Sequence, residues 1–157
     1  MAYDVKPIVS PKHADCGPTC LKMLLTYYDK AKDVDLATLS KECNVNIKRG
    51  GCTFADLKRV GNAHGLDVLC YGDCEDGTPG AIPWDGVTKQ DRPSIVWWKK
   101  YHFVVCCGID DQGKVVICDP DAGRIRFAPD TFESYYSEKA LFNGEPHDLP
   151  KKEGAES

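Results

Sequence analysis

Asp15-Cys16-Gly17-Pro18-Thr19-Cys20-Leu21-Lys22-Met23-Leu24-Leu25-Thr26-Tyr27-Tyr28 reads as a helix with a thiol at its mouth. Leu21, Leu24, Leu25 and Tyr28 recur at i, i+3, i+4 and i+7, an apolar stripe that must face a core. Pro18 suits a first helical turn, where its missing N–H goes unnoticed. Asp15, Cys16 and Gly17 are thereby set at the N-terminal end of the helix. Before them, residues 1–14 read as an extended lead-in, because Pro7 and Pro11 oppose helix while Val5, Ile8 and Val9 could pair as a short edge strand.

Downstream, a second helix is expected behind Asp33 or Asp35, using Leu36, Leu39 and Cys43. A third begins at Thr53, which stands in capping-box spacing with Asp56. Leu57 and Val60 face inward and Gly65 supplies the stop. Strand character then takes over at 66–71, 94–98, 102–109, 115–119 and 125–127. Asp110-Asp111-Gln112-Gly113 reads as a hairpin turn and 119–123 as the next turn, so these strands form an antiparallel meander. Residues 72–92, rich in Gly, Pro and charge, read as a long surface loop. Asp130 and Glu133 again have capping-box spacing, predicting a short closing helix with Phe132, Tyr135 and Tyr136. The expectation is an α+β chain, an N-terminal helical half packed on a C-terminal antiparallel β-sheet. It forms one domain over 1–144 and a flexible tail over 145–157.

The 157 residues suit one domain. Twenty Lys and Arg against 24 Asp and Glu leave a net charge of −4, which disfavours a nucleic-acid partner. Nine Cys is an odd count, too sparse for a disulfide scaffold, and with no secretory signal or membrane segment in view a cytoplasmic protein is expected. The pairs Cys16/Cys20, Cys70/Cys74 and Cys106/Cys107 make a poor zinc knuckle, since adjacent strand residues point to opposite faces. Asp119-x-Asp121-x-Gly123 lacks the remaining ligands of a calcium loop. No metal and no cofactor are expected.

A thiol at a helix N-terminus meets free N–H groups and a macrodipole that favour the thiolate, and Cys16 has that address. Gly17 leaves room for a substrate backbone, and the Cys16 amide can point at an oxyanion. Of the four histidines, His102 is the best base, at the start of an apolar strand. The hairpin around Asp110–Gly113 brings the far end of the next strand, with Asp119, back beside it as the group that orients the ring. Taken singly, each has a plainer role: a buried small residue, a half-buried strand-edge histidine, a turn. Their order and the hairpin joining two of them favour chemistry.

The sequence resembles the bacteriocin-processing peptidases that remove double-glycine leaders, papain-like thiol peptidases usually found at the N-terminus of exporter ATPases. Residues 15–21 with Tyr27-Tyr28 are similar to the family's nucleophile helix, and 51–66 to its Thr-capped helix. His102-Phe103-Val104-Val105 with Asp119-Pro120 and Gly123 resembles its His and Asp strands. The resemblance implies Cys16 as nucleophile, His102 as general base and Asp119 as its partner. It also implies cleavage of a peptide or protein substrate after small residues, typically Gly-Gly. The family's Gln six residues before the nucleophile is Ser10 here, so the oxyanion-hole candidates are Ser10, Cys16 and His13. Candidates for the cleft are Gly17, Gly50, Gly51, Trp97, Trp98 and Tyr101. Two alternatives stay open: a silent or weakly active module that binds a leader or partner peptide, and a thiol deamidase or amide transferase.

Overall fold

The chain, seen in a computed structural model, is described for residues 2–147 except 11, 31, 32, 75 and 76. Helix α1 (Cys16–Tyr27) runs through the middle, buried along most of its length. Leu21, Leu24 and Leu25 of its stripe are fully buried, and Tyr28, the fourth member, is half-buried as the C-cap. Asp35 accepts from the Thr38 N–H and starts α2 (Leu36–Glu42), which decides between the two expected caps. Thr53 and Asp56 close a reciprocal capping box on α3 (Phe54–Ala63).

The sheet has six strands: β1 (Val68–Tyr71), β2 (Ser94–Trp98), β3 (His102–Ile109), β4 (Val115–Asp119), β5 (Gly123–Phe127) and β6 (Tyr136–Asn143). Its order is β1-β6-β2-β3-β4-β5, so the meander from β2 to β5 is as expected, but β6 returns to lie between β1 and β2. Residues 136–143 mix Ser, Glu and Lys with Tyr, Ala, Leu and Phe, so they carry no clean two-residue alternation. Only pairing on both sides makes them a strand. Helix α5 (Pro129–Tyr135) forms, but Asp130 and Glu133 make no capping box. Pro129 occupies the first turn behind Ala128, which puts Asp130 inside the helix rather than at its cap. Tyr136 already belongs to β6.

Helices cover both faces. On one side α1, α2 and α3 pack with Phe103, Val105 and Cys107; on the other, Val87 of α4 (Trp84–Thr88) and Phe132 of α5 pack with Val104, Cys106 and Trp98. Burial on both faces explains why β3 is apolar almost throughout. The expected surface loop at 72–92 is thus partly helical and partly core. Where it leaves β1, Gly72 has φ +97 and a Cβ there would collide with the Glu138 carbonyl of β6.

The described residues of the lead-in form no strand. Pro7 has no N–H, and the segment is pinned at separate points, Tyr3 N–H to the Cys107 carbonyl at 2.7 Å and Ser10 N–H to the Pro120 carbonyl at 2.8 Å. At the other end Glu145-Pro146-His147, expected to begin the flexible tail, is held: His147 exchanges two 2.7 Å hydrogen bonds with the Gln90 side chain. The rest of that tail, 148–157, lies outside the described residues.

Candidate active site

Cys16 is the first residue of α1, His102 the first of β3 and Asp119 the last of β4. The β3–β4 pairing of Val105 with Cys118 sets the two strand ends side by side, and α1 packs against β3. His102 follows a tight turn in which Lys99 and Lys100 take φ of 54° and 64° without being glycine. Tyr101 N–H closes it on Trp98, while Lys99 N–H bonds the Tyr135 carbonyl and Lys100 N–H the Ser137 hydroxyl. Those bonds offset a backbone cost of about 1 kcal/mol or more per residue.

His102 Nε2 lies 2.7 Å from Asp119 Oδ1. A carboxylate only accepts, so Nε2 carries the proton and Nδ1 is turned away from it. Nδ1 is buried without a hydrogen-bond partner among the described residues. A ring nitrogen of His102 and the Cys16 sulfur lie within 4.8 Å of each other. Asp119 is itself oriented, since its Oδ1 accepts the Asp121 N–H at 2.8 Å. Burial opposes charge on His102, but the Asp119 hydrogen bond and the facing Cys16 outweigh it and hold the ring's pKa up at about 9. Burial likewise opposes the Asp119 charge, but the hydrogen bonds it accepts from His102 and from the Asp121 N–H keep that carboxyl below its usual range.

Two further residues complete the cluster. The His13 ring stacks on His102 at 5.1 Å, and Asp121 Oδ2 stands 3.6 Å from His13 Nδ1 and 3.7 Å from His102 Nε2. Tyr101, 57% exposed, packs on both rings at 5.6 and 5.9 Å. Cys16 itself is only 2% exposed, and the exposed His13 brings a ring nitrogen within 4.8 Å of its sulfur. From the sequence Asp121 reads only as a turn residue. Its one sequence signal is its place two residues after Asp119, where the turn folds it back.

The oxyanion candidates divide. The buried Ser10 hydroxyl donates to the Lys12 carbonyl at 3.2 Å. The Cys16 N–H donates to the His13 carbonyl, closing the 3-10 turn His13–Asp15. Of the three, His13 brings a ring to the cluster, and no backbone carbonyl among the described residues is its partner.

Of the cleft candidates, Tyr101 borders the cluster, and Trp97 is half-buried against Phe103 and Phe54. Trp98 does not line it: it is 2% exposed and packs with Phe127, Phe132 and Tyr135 on the opposite face, as strand alternation from Trp97 demands. Gly17 is packed rather than open, for a Cβ there would lie 2.7 Å from Cys52 Sγ and 3.3 Å from Phe103. Gly51 abuts the Ala14 carbonyl, where a Cβ would come to 3.1 Å, and so supports the turn before Cys16. Gly50 is exposed, and a Cβ there would meet nothing within 4 Å. Cys20 is fully buried, and burial with the neighbouring Cys16 pushes its thiol well up, which fits packing.

The fold matches solved structures. A double glycine motif protease from an AMS/PCAT transporter, crystallised with the leader peptide, aligns with TM-score 0.76 at 23% identity, over 90% of this chain and 91% of that one. The peptidase domain of Streptococcus ComA aligns with TM-score 0.72 at 20% identity, over 88% and 96%. The N-terminal peptidase C39-like domain of a Vibrio parahaemolyticus toxin secretion ATP-binding protein aligns with TM-score 0.56 at 12% identity, over 85% and 96%. No match was found among curated proteins. A sequence profile of the Peptidase C39 family covers residues 4–147, so that the chain, with its helix-mouth cysteine set before a sheet, belongs to the peptidase C39 family.

Proposed function

We propose that this chain is a papain-like cysteine peptidase that cuts an extended peptide after a Gly-Gly junction, with Cys16, His102 and Asp119 as its triad. The observation that carries the reading is the His102 ring: one nitrogen on a carboxylate, the other buried and unpartnered among the described residues, in a ring that comes within 4.8 Å of the Cys16 sulfur. The Cys16 thiolate attacks the scissile carbonyl. His102, protonated up to about pH 9, gives its Nδ1 proton to the leaving amine. Neutral His102 then takes a proton from water, which displaces the acyl group from sulfur. Asp119 keeps Nε2 protonated and the ring aimed throughout.

His13 is the donor we assign to the oxyanion, since Ser10 and the Cys16 amide already serve carbonyls. A substrate must move the His13 ring off the sulfur, and the same motion turns its N–H toward the carbonyl oxygen. Glycines beside the scissile bond fit such a narrow approach between Tyr101 and His13. The leader peptide bound by the transporter protease suggests a peptide partner of that class. The site itself lies in a chain in which no helix among the described residues is long and apolar enough to cross a membrane. We place the protein in the cytoplasm on its odd count of nine cysteines, which suits a reducing compartment.

One specific observation favours a silent peptide-binding module instead: both backbone-side oxyanion candidates are occupied and Cys16 is covered. Iodoacetamide and Gly-Gly peptides separate the two. A peptidase alkylates fastest at Cys16 and loses cleavage in Cys16→Ala and His102→Ala. Cleavage retained in Cys16→Ala refutes the mechanism, and intact peptide with unselective alkylation establishes the silent module. Loss of the His13 donor should lower kcat by about 10² to 10³ in His13→Ala.

A further inference from the structure

His13, Cys16 and His102 each bring one donor atom to within 4.8 Å of the other two. A thiolate with two imidazoles is a good tetrahedral zinc set that leaves one position for water. Zinc–sulfur and zinc–nitrogen bonds of about 2.3 and 2.0–2.1 Å correspond to donor separations of about 3.3–3.6 Å, so the cluster must contract by at most about 1.5 Å. The His13 side chain, 44% exposed and held by stacking and a long approach to Asp121, has the freedom to supply that movement.

A second observation points the same way. His102 Nδ1 lies in a side chain 3% exposed, has no hydrogen-bond partner, and belongs to the ring that faces the sulfur. Each histidine also has a carboxylate beside one nitrogen: Asp119 at 2.7 Å from His102 Nε2, and Asp121 at 3.6 Å from His13 Nδ1. Metal-bound histidines are commonly oriented in this way, with the second nitrogen left for the ion. Asp119 and Asp121 add negative charge behind the donors.

We propose that His13, Cys16 and His102 form a reversible Zn²⁺ site that switches the enzyme off. The inhibition, though not the binding, rests on the reading of Cys16 and His102 as the reacting pair. On binding, the protonated His102 Nδ1 releases its proton to solvent, and the Cys16 thiolate, Nδ1 and a His13 nitrogen take the ion with one water. No electron is transferred. The sulfur lone pair that would attack a carbonyl is committed to the metal, and the His13 ring is drawn down over the cleft.

The test uses the full chain under reducing conditions with Co²⁺ as a spectroscopic stand-in and Zn²⁺ as competitor. Expected are one equivalent of tetrahedral cobalt with a thiolate charge-transfer band, displaced by Zn²⁺, absent in Cys16→Ala and weakened at least about tenfold in His13→Ala. In the unmodified chain Zn²⁺ should also protect Cys16 from iodoacetamide, with a chelator restoring alkylation, a result that needs no variant to fold. The same cobalt spectrum in Cys16→Ala, or Cys16 alkylation unaffected by Zn²⁺, overturns the site. Binding without any peptidase activity would leave the metal site standing and sink the peptidase reading. Cleavage that Zn²⁺ does not touch would do the reverse.

Discussion

Replacing Asp119 by Asn removes one negative charge 2.7 Å from His102 Nε2 and leaves the side chain's shape nearly unchanged. The His102 pKa stands at about 9, against about 6.5 for an unperturbed imidazole, and of the groups that raise it the Asp119 bond is the largest. An adjacent opposite charge is worth about 1 to 3 units, so His102 in Asp119→Asn should titrate that much lower, with burial pulling the same way. Cys16, Asp121 and His13 also face this ring. Asp121, 3.7 Å away, supplies a remnant of negative charge that Asp121→Asn should remove in the double variant. The shift of His102 is also a stability term. Because its folded pKa is raised, the stabilisation is complete below about pH 6.5 and is lost as pH rises through about 9, with a ceiling of about 3 kcal/mol. The wild type should therefore weaken in urea over that window, while Asp119→Asn should be weaker at pH 6.5 and change less up to pH 9. The assay is the NMR titration of the histidine Cε1–H signals with chelator present, the His102 signal being identified by its absence in His102→Ala. An unchanged His102 midpoint in Asp119→Asn would refute the assignment of the carboxylate as the source of the shift.

Gly17→Ala places a Cβ 2.7 Å from Cys52 Sγ and should cost about 1–3 kcal/mol in urea unfolding. Cys52→Ala removes the sulfur and should recover most of it, whereas strictly additive effects would mean that the two do not collide. Thr53→Ala breaks the capping box on α3 and should cost about 0.5–2 kcal/mol while Cys16 alkylation keeps its rate; a change in that rate would link α3 to the site. Ser10→Gln offers an amide where the family carries one and should restore up to about 10² in kcat to His13→Ala; no rescue would place the oxyanion donor elsewhere.

Much of this architecture is legible because it is local. The stripe of Leu21, Leu24 and Leu25 sets α1 and leaves Cys16 at its mouth, and the turn at Asp110–Gly113 brings the strand ends of His102 and Asp119 together, each through residues a few positions apart. Thr53 announces its helix in the same way, because a cap bonds to its own first turn, while the sequence narrows the α2 cap to Asp33 or Asp35 and the structure picks Asp35. Sheet order is another matter. β6 becomes a strand through neighbours on both sides that are distant in sequence, and nothing in its own mixed pattern requires it.

The amino-acid sequence by itself determined the helix that presents Cys16 and the hairpin that joins His102 to Asp119, since short-range hydrogen bonds and apolar periodicity suffice for both. Only the tertiary structure decided which groups stand around them. It stacked His13 on His102, folded Asp121 between the two histidines, filled the space at Gly17 with Cys52 and turned Trp98 away to the opposite face. Those outcomes depend on close packing between segments far apart along the chain, where a side chain's partner is set by the space that every other segment leaves.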